Sequence, residues 1–122
     1  MKRMTMASLR RDVWKVLTKE LKAINIVETP VDCSAHSLYD DDQIEIWADA
    51  YQVRLDYAVV HEILHKVLGK HLESFATYNV YENFVTSLEE PFFKSISNRE
   101  MRKWHRAIAK KIRRGSRATP QQ

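Results

Sequence analysis

The chain has 122 residues, and its 20 lysines and arginines against 16 aspartates and glutamates give a formal net charge of +4. This length suits a single domain that buries its own core, and 44% hydrophobic residues with only two glycines and three prolines exclude a disordered chain. The one cysteine, Cys33, excludes an internal disulfide and any zinc site built from several thiolates.

The charge is distributed unevenly along the chain. Residues 1–22 hold seven basic and two acidic side chains, a net charge of +5. Residues 23–98 hold four basic and thirteen acidic side chains, a net charge of −9, and residues 99–122 hold nine basic and one acidic side chain, a net charge of +8. Basic ends of this kind bind nucleic acid or an acidic partner, or they pack against the acidic middle of their own chain. We favour packing within the chain, because charged, solvated helix faces are common.

The N-terminal region shows no targeting signature. Residues 1–11 contain charges but lack the apolar segment of a secretory signal. No apolar run approaches the roughly 20 residues of a membrane-spanning helix. We therefore expect a cytoplasmic protein with no membrane partner.

In the first half of the chain, the pattern predicts one helix and one clear strand. Apolar residues recur at three- and four-residue steps over 8–25, which predicts an amphipathic helix. Residues 26–31 are β-branched but interrupted by Pro30, which favours an edge strand at best, and 32–42 are typical of a connection. Over 43–49 apolar and polar residues alternate, which predicts a half-buried strand.

Three further helices are predicted in the second half. The helical period returns over 54–68, and Gly69 follows where a helix-terminating glycine is expected. A third helix spans about 76–90, with Pro91 near its end, and a capping box begins a fourth helix over 97–114. The fourth helix carries most of the C-terminal positive charge.

The segment His61-Glu62-Ile63-Leu64-His65 is an HExxH motif in the middle of the second predicted helix. Two histidines four residues apart project from one side of a helix, so both imidazoles can bind one zinc ion. Glu62 points about 100° away from His61, near the metal without ligating it, where it can take a proton from a zinc-bound water. The motif predicts a zinc site with His61 and His65 as ligands and Glu62 as the catalytic base.

A catalytic zinc site needs a third protein ligand, and the sequence offers three candidates, of which Glu89 is a poor one. If the second and third helices form an antiparallel hairpin that turns near residue 73, Glu82 lies beside His65. His71, six residues after His65, is the alternative. Glu89 lies on the same helical face as Glu82 but two turns further on, and we expect it to be solvated.

The stretch IEIWADAYQVRLDYAVVHEILH, followed by ENFVTSLEEPF, resembles small single-domain zincins of the gluzincin type, many of which are encoded by phages and prophages. The resemblance covers roughly residues 43–94. It implies a peptidase fold in which a strand precedes the HExxH helix and a glutamate of the next helix, here Glu82, completes the site. Larger gluzincins often carry an acidic residue four positions after this ligand, where this chain has Thr86.

The segment HEILHKVLGKH is also similar, more weakly, to SprT-like and WLM-like metalloproteases. In those families a third histidine, here His71, follows the motif, and Phe75 stands four residues later. The spacing from His65 to His71 is also that of metzincins, although Leu68 occupies the position of their glycine. This similarity implies His71 as the alternative third ligand.

A peptidase also needs a substrate groove and a group that stabilises the oxyanion. In the zincin arrangement, an extended substrate pairs with the strand before the active helix, here 43–49. Tyr57, Tyr78, Tyr81 and His105 are all candidates for the oxyanion-stabilising group. The sequence leaves the choice among these four open.

Together these features predict an α+β, mostly α, zincin-like fold. It comprises an N-terminal helix, a small two- or three-stranded antiparallel sheet, the HExxH helix, a glutamate-bearing helix and a basic C-terminal helix, in one domain over 1–114 with a flexible tail over 115–122. The predicted function is zinc-dependent hydrolysis of a peptide or protein substrate. The alternative is a regulatory or nucleic-acid-associated binding protein with a structural or vestigial zinc site, whose basic C-terminal helix contacts nucleic acid or an acidic partner weakly.

Overall fold

The computed structural model describes residues 4–27, 35–39, 42–47, 54–69 and 77–114. The described part is mostly helical, as the sequence predicts. Its elements in chain order are α1 (Met6–Lys15), which continues into a single π-helical turn (Val16–Glu20), β1 (Ala23–Val27), β2 (Ala35–Tyr39), β3 (Gln43–Trp47), α2 (Leu55–Leu68), α3 (Tyr78–Lys94), α4 (Asn98–Lys111) and β4 (Ile112–Arg114). Cys33, His71 and the tail predicted over 115–122 lie outside the described residues.

The four described strands form a mixed sheet in the order β2-β3-β1-β4. β1 is parallel to β3 and β4, whereas β2 and β3 are antiparallel. The predicted two- or three-stranded antiparallel sheet is therefore wrong, although β3 itself is confirmed, with Ile44 and Ile46 buried. The connections explain the mixed order. β2 runs in the opposite direction to β3, and the helices between β3 and β4 return the chain to the side of β1 that faces away from β3, where β4 pairs parallel with β1.

Strand β1 replaces the end of the predicted first helix. The helix predicted over 8–25 stops at Glu20, and Ile24 and Ile26 lie buried in the sheet. Of the edge strand predicted over 26–31, residues 26 and 27 belong to β1, which begins three residues earlier and lies inside the described sheet, between β3 and β4, so the edge position is wrong; residues 28–31 lie outside the described residues. Alternating β-branched residues favour a strand over a helix once a sheet face is available to bury them.

One further strand and two helix ends differ from the prediction. β2 lies within the segment predicted as a connection. α3 runs through Pro91, past its predicted end near residue 90, because Phe92 and Phe93 are buried in the core and hold its last turn. α4 ends at Lys111, because pairing with β1 makes the next three residues a strand.

Helix α2, which the sequence predicts over 54–68, lies at the centre of the core. It contacts α1, α3 and α4 as well as β2 and β3. A helix held on so many sides presents its remaining side chains in fixed positions, as a site with small geometric tolerance requires. The apolar side chains that α2 buries are Ala58, Val59, Val60, Ile63, Leu64 and Leu68.

The first and fourth helices close another side of the core. Trp14 of α1 meets Trp104 of α4 edge to face, with ring centroids 5.0 Å apart, and Phe92 of α3 packs against Trp104 at 5.5 Å. The Lys111 ammonium donates to the Leu21 carbonyl oxygen at 2.6 Å and ties the end of α4 to the chain just before β1. None of the helices in the described residues has both the length and the apolar character to cross a bilayer.

Candidate metal centre

The HExxH motif lies on the part of α2 that faces α3. His61 is 4% exposed and Glu62 is 5% exposed. Their neighbours Ile63 and Leu64 are fully buried in the core, which sets the rotation of the helix. His61 and His65 are therefore left at the border between the core and α3.

α3 brings Glu82 to the two histidines. The helix starts at Thr77, whose hydroxyl oxygen accepts a hydrogen bond from the Val80 N–H at 3.2 Å. One turn later Tyr81 is buried, and its hydroxyl donates to the His65 carbonyl oxygen at 3.3 Å. Because α3 packs along α2, this contact sets Glu82, the next residue, beside the HExxH turn.

The possible ligand atoms of His61, His65 and Glu82 converge. His65 Nε2 lies 2.8 Å from Glu82 Oε1, His61 Nε2 lies 3.1 Å from Glu82 Oε2, and the two Nε2 atoms are 3.1 Å apart. Ligand atoms of a tetrahedral zinc ion, each about 2.0–2.2 Å from the metal, are roughly 3.3–3.5 Å apart. A small outward movement of the three groups therefore accommodates the ion and leaves a fourth position open.

The donor chemistry also fits zinc. Catalytic zinc sites combine three protein ligands with an open position, and two imidazoles with one carboxylate form one such set. Within the described ranges, the structure holds one group of three or more histidine, cysteine and carboxylate side chains whose ligand atoms lie within 4.8 Å of one another, and this is His61, His65 and Glu82. His71, the alternative third ligand, lies outside the described residues.

The position of Glu89 differs from the prediction. The sequence predicts a solvated side chain, but only 16% of the Glu89 side chain is exposed, and its Oε2 lies 2.5 Å from Nδ1 of His61. Backbone positions along the two helices predict a solvated Glu89, but the long glutamate side chain reaches the second ring nitrogen of His61. The signal was nevertheless present, because a seven-residue spacing puts Glu82 and Glu89 on one helical face.

The contact with Glu89 fixes the orientation of the His61 ring. When Nδ1 carries the proton and donates a hydrogen bond to Glu89, the lone pair of Nε2 points towards His65 and Glu82. This is the tautomer that a zinc ligand needs. Thr86, at the position where larger gluzincins often carry an acidic residue, is exposed, and Glu89 follows three residues later, about 60° from Thr86 around the helix.

Two tyrosines share the electrostatic environment of the site. Partial burial, followed by the negative charges of Glu82 and Glu62, raises the pKa of Tyr78 above its usual value. Burial raises the pKa of Tyr81 in the same way, with smaller contributions from Tyr78, Glu82 and Glu62. The ring of Tyr78 is parallel to that of His65, with centroids 6.5 Å apart, and Tyr78 is 61% exposed. Both phenols therefore stay protonated at neutral pH, and Tyr78 borders the site on its solvent side.

The other two oxyanion candidates are engaged elsewhere. Tyr57 stacks on Phe93, with ring centroids 4.6 Å apart. His105 Nε2 lies 3.4 Å from Asp56 Oδ2 at the start of α2. Of the four candidates, the structure brings the two tyrosines of α3 to the predicted zinc ligands.

The strand before α2 has no free edge for a substrate. β3 pairs with β1 on one side and with β2 on the other over Gln43–Trp47. The prediction that this strand binds an extended peptide is therefore wrong. β2 instead forms one edge of the described sheet, and it contacts α2.

Comparison with protein-family models, with curated proteins and with solved structures finds no significant match for this chain. The chemical interpretation of the site therefore rests on its residues and their geometry. The resemblance to gluzincins stays a sequence-based interpretation.

Replacing the third ligand is expected to remove zinc. The Glu82→Ala variant should lose most of its bound metal, because it leaves only two of the three ligand groups, whereas His71→Ala should keep about one zinc per chain. Zinc content is measured by mass spectrometry of the element after dialysis at neutral pH, and circular dichroism confirms that both variants are folded. A sharp loss in His71→Ala with full occupancy in Glu82→Ala would assign the third ligand to His71.

Replacing Glu89 is expected to weaken zinc binding without removing a ligand. Glu89→Gln should raise the zinc Kd by about 10- to 100-fold, because the amide is a poorer acceptor for the His61 Nδ1 proton. The matched control is Glu90→Gln, since Glu90 is exposed and its carboxylate lies 3.7 Å from the Lys94 ammonium. Competition with a chelator of known affinity measures both constants, and equal Kd values for Glu89→Gln and the parent would contradict the orienting role.

Proposed function

We propose that this protein is a cytoplasmic zinc-dependent metallopeptidase with a zincin-like fold, which hydrolyses peptide bonds in a peptide or protein substrate. The observation that carries the proposal is the convergence of His61, His65 and Glu82 within 4.8 Å, with Glu62 buried on the same turn. Structural zinc sites use four protein ligands, whereas catalytic sites use three. Within the part of the chain that the structure describes, the group contains three, which favours catalysis over a structural zinc in a regulatory protein.

Glu62 is the proposed general base. When bound, zinc supplies the Lewis acidity that lowers the pKa of water towards neutrality and polarises a carbonyl group. Glu62 follows His61 directly on the same turn of α2, is buried, and is not one of the three residues whose ligand atoms converge. It accepts a proton from the attacking water and delivers it to the leaving amine of the cleaved peptide.

Tyr78 is the proposed donor to the oxyanion that forms when water attacks the peptide carbonyl. It lies in the first turn of α3, four residues before Glu82, and therefore projects from the same side of the helix. Its phenol is protonated and exposed beside His65, as such a donor must be. Tyr81 is less suited, because its hydroxyl already donates to the His65 carbonyl oxygen.

The outer edge of β2 is the proposed surface for an extended substrate. Ala35–Tyr39 form an edge strand that is antiparallel to β3 and contacts α2. An extended peptide can add to such an edge through main-chain hydrogen bonds. Because these bonds do not distinguish between side chains, we expect broad cleavage specificity.

Replacing Glu62 is expected to abolish hydrolysis while zinc stays bound. Glu62→Gln has nearly the same shape but cannot accept the proton, so the rate with a quenched fluorescent peptide library should fall by at least about 10²- to 10⁴-fold. Glu90→Gln removes an exposed carboxylate from α3 and should cleave like the parent. Parent-like cleavage by Glu62→Gln would refute the mechanism, and a zinc-loaded parent that cleaves neither the library nor casein would refute the proposed activity.

Removing the Tyr78 hydroxyl is expected to lower kcat. Tyr78→Phe should reduce kcat by about 10²-fold and change KM little, because the hydrogen bond forms with the oxyanion and not with the bound substrate. Val80→Ala, at an exposed position two residues later, is the control. Steady-state kinetics separate the two constants, and an unchanged kcat in Tyr78→Phe would exclude this tyrosine as the donor.

A further inference from the structure

A basic cleft lies between the first and fourth helices. Its volume is about 530 Å³, and residues of α1, the π-helical turn, α4 and β4 line it together with Lys22. Of its described lining residues, none is acidic and six are cationic: Lys22, Lys103, Arg106, Lys110, Lys111 and Arg113. This concentration of one sign of charge in a concave surface attracts anions.

Within the described residues, Lys22 is the one cation of these six that forms an ion pair. Lys22 lies 3.4 Å from Asp42 and is paired. By contrast, Arg106, Lys110 and Arg113 are exposed and form no ion pair within the described part of the chain. The expectation that the basic ends pack against the acidic middle is therefore not met at these three residues. Their charges are available to a ligand.

The cations recur along the axis of α4. Lys103, Arg106 and Lys110 fall within about 60° of one another around the helix, and the seven steps from Lys103 to Lys110 span about 10.5 Å. One strand of a nucleic-acid duplex carries a phosphate about every 3.4 Å along its axis. The length of the row of cations therefore matches about three phosphate-to-phosphate spacings.

The wall of the cleft is held by contacts within the protein. Trp14 lines it and is held by its edge-to-face contact with Trp104. The Lys103 ammonium lies 4.8 Å from the centre of the Trp14 ring, and the Lys111 ammonium is fixed by the Leu21 carbonyl oxygen. Because the helices around the cleft are already formed, a ligand does not have to order them when it binds. This lowers the entropic cost of binding.

A phosphodiester backbone suits this surface better than an acidic peptide does. Its charges lie on the backbone itself, whereas a peptide must order several long carboxylate side chains, at a cost in rotamer entropy for each. The guanidinium of Arg106 also matches the geometry of a phosphate through paired N–H donors. We propose that this cleft binds the phosphate backbone of nucleic acid and does so without reading the base sequence.

The proposal is tested by the salt dependence of binding to a fluorescein-labelled 20-base-pair duplex of arbitrary sequence. Polarisation is measured with the full chain between 50 and 300 mM salt. The Arg106→Gln/Lys110→Gln variant should reduce the slope of log K against log salt by about 1.8, because each lost phosphate contact contributes roughly 0.9. Its affinity at about 100 mM salt should fall by at least tenfold.

The matched control is Lys94→Gln/Arg102→Gln, which removes the same charge from exposed positions outside the cleft. This control should keep the slope of the parent, and circular dichroism confirms that both double variants are folded. Absence of binding at 50 mM salt, or an equal loss of slope in the control, would overturn the proposal. A polyglutamate peptide of equal charge that binds as tightly as the duplex would overturn it in favour of an acidic peptide. These outcomes leave the proposed peptidase activity untouched, since no residue of the metal centre is changed.

Discussion

The packing of α3 along α2 places two carboxylates of one helix on the two nitrogens of a single imidazole, and the candidate metal centre depends on this contact. Glu82 and Glu89 are seven residues apart, about 10.5 Å along an α-helix, so both reach His61 only if α3 is helical between them. The contact also requires α2 to keep one rotation, which its buried apolar side chains impose. Core packing thus supplies the roughly 0.5 Å precision that a ligand set needs.

The parts of this arrangement that follow from the sequence are those with a strong local period. α2 shows its helical period over four turns, and the HExxH spacing has meaning only on a helix, so both could be predicted. β3 was equally clear, because Ile44 and Ile46 alternate with polar residues. Glu82 could be placed because a short connection between two helices favours an antiparallel hairpin, in which its distance from the turn matches that of His65.

The errors concern information that a local pattern does not contain. Ile24 fits a helical step as well as a strand alternation, and only a neighbouring strand, with Ile44 in register, decides between them. The direction and order of the strands likewise depend on residues far apart in the chain. Glu89 was misplaced for a different reason, since the contact is made at the far ends of two side chains and cannot be read from positions along the helix axes.

The charge asymmetry of the chain corresponds to a division of the surface. The carboxylates that contact His61 and His65 lie on α3, whereas the three cleft cations that form no ion pair within the described residues lie on α4 and β4. The net charge of +4 describes neither region. The separation preserves both regions. A cation near Glu89 would compete with His61 for the Glu89 carboxylate, and a carboxylate in the cleft would neutralise the positive charge of the cleft.

The parallel pairing of β1 with β4 also has a consequence for how the chain folds. Ile24 lies opposite Ile112, 88 positions later in the sequence, so the contact between the two strands is among the most non-local that a chain of this size can make. During synthesis, one edge of β1 stays unpaired until β4 has emerged, long after α2 and α3 are available to pack. Closing such a long loop is entropically costly and slow. The final step of folding is therefore expected to be the docking of β4, and until then this edge of β1 can pair with other molecules.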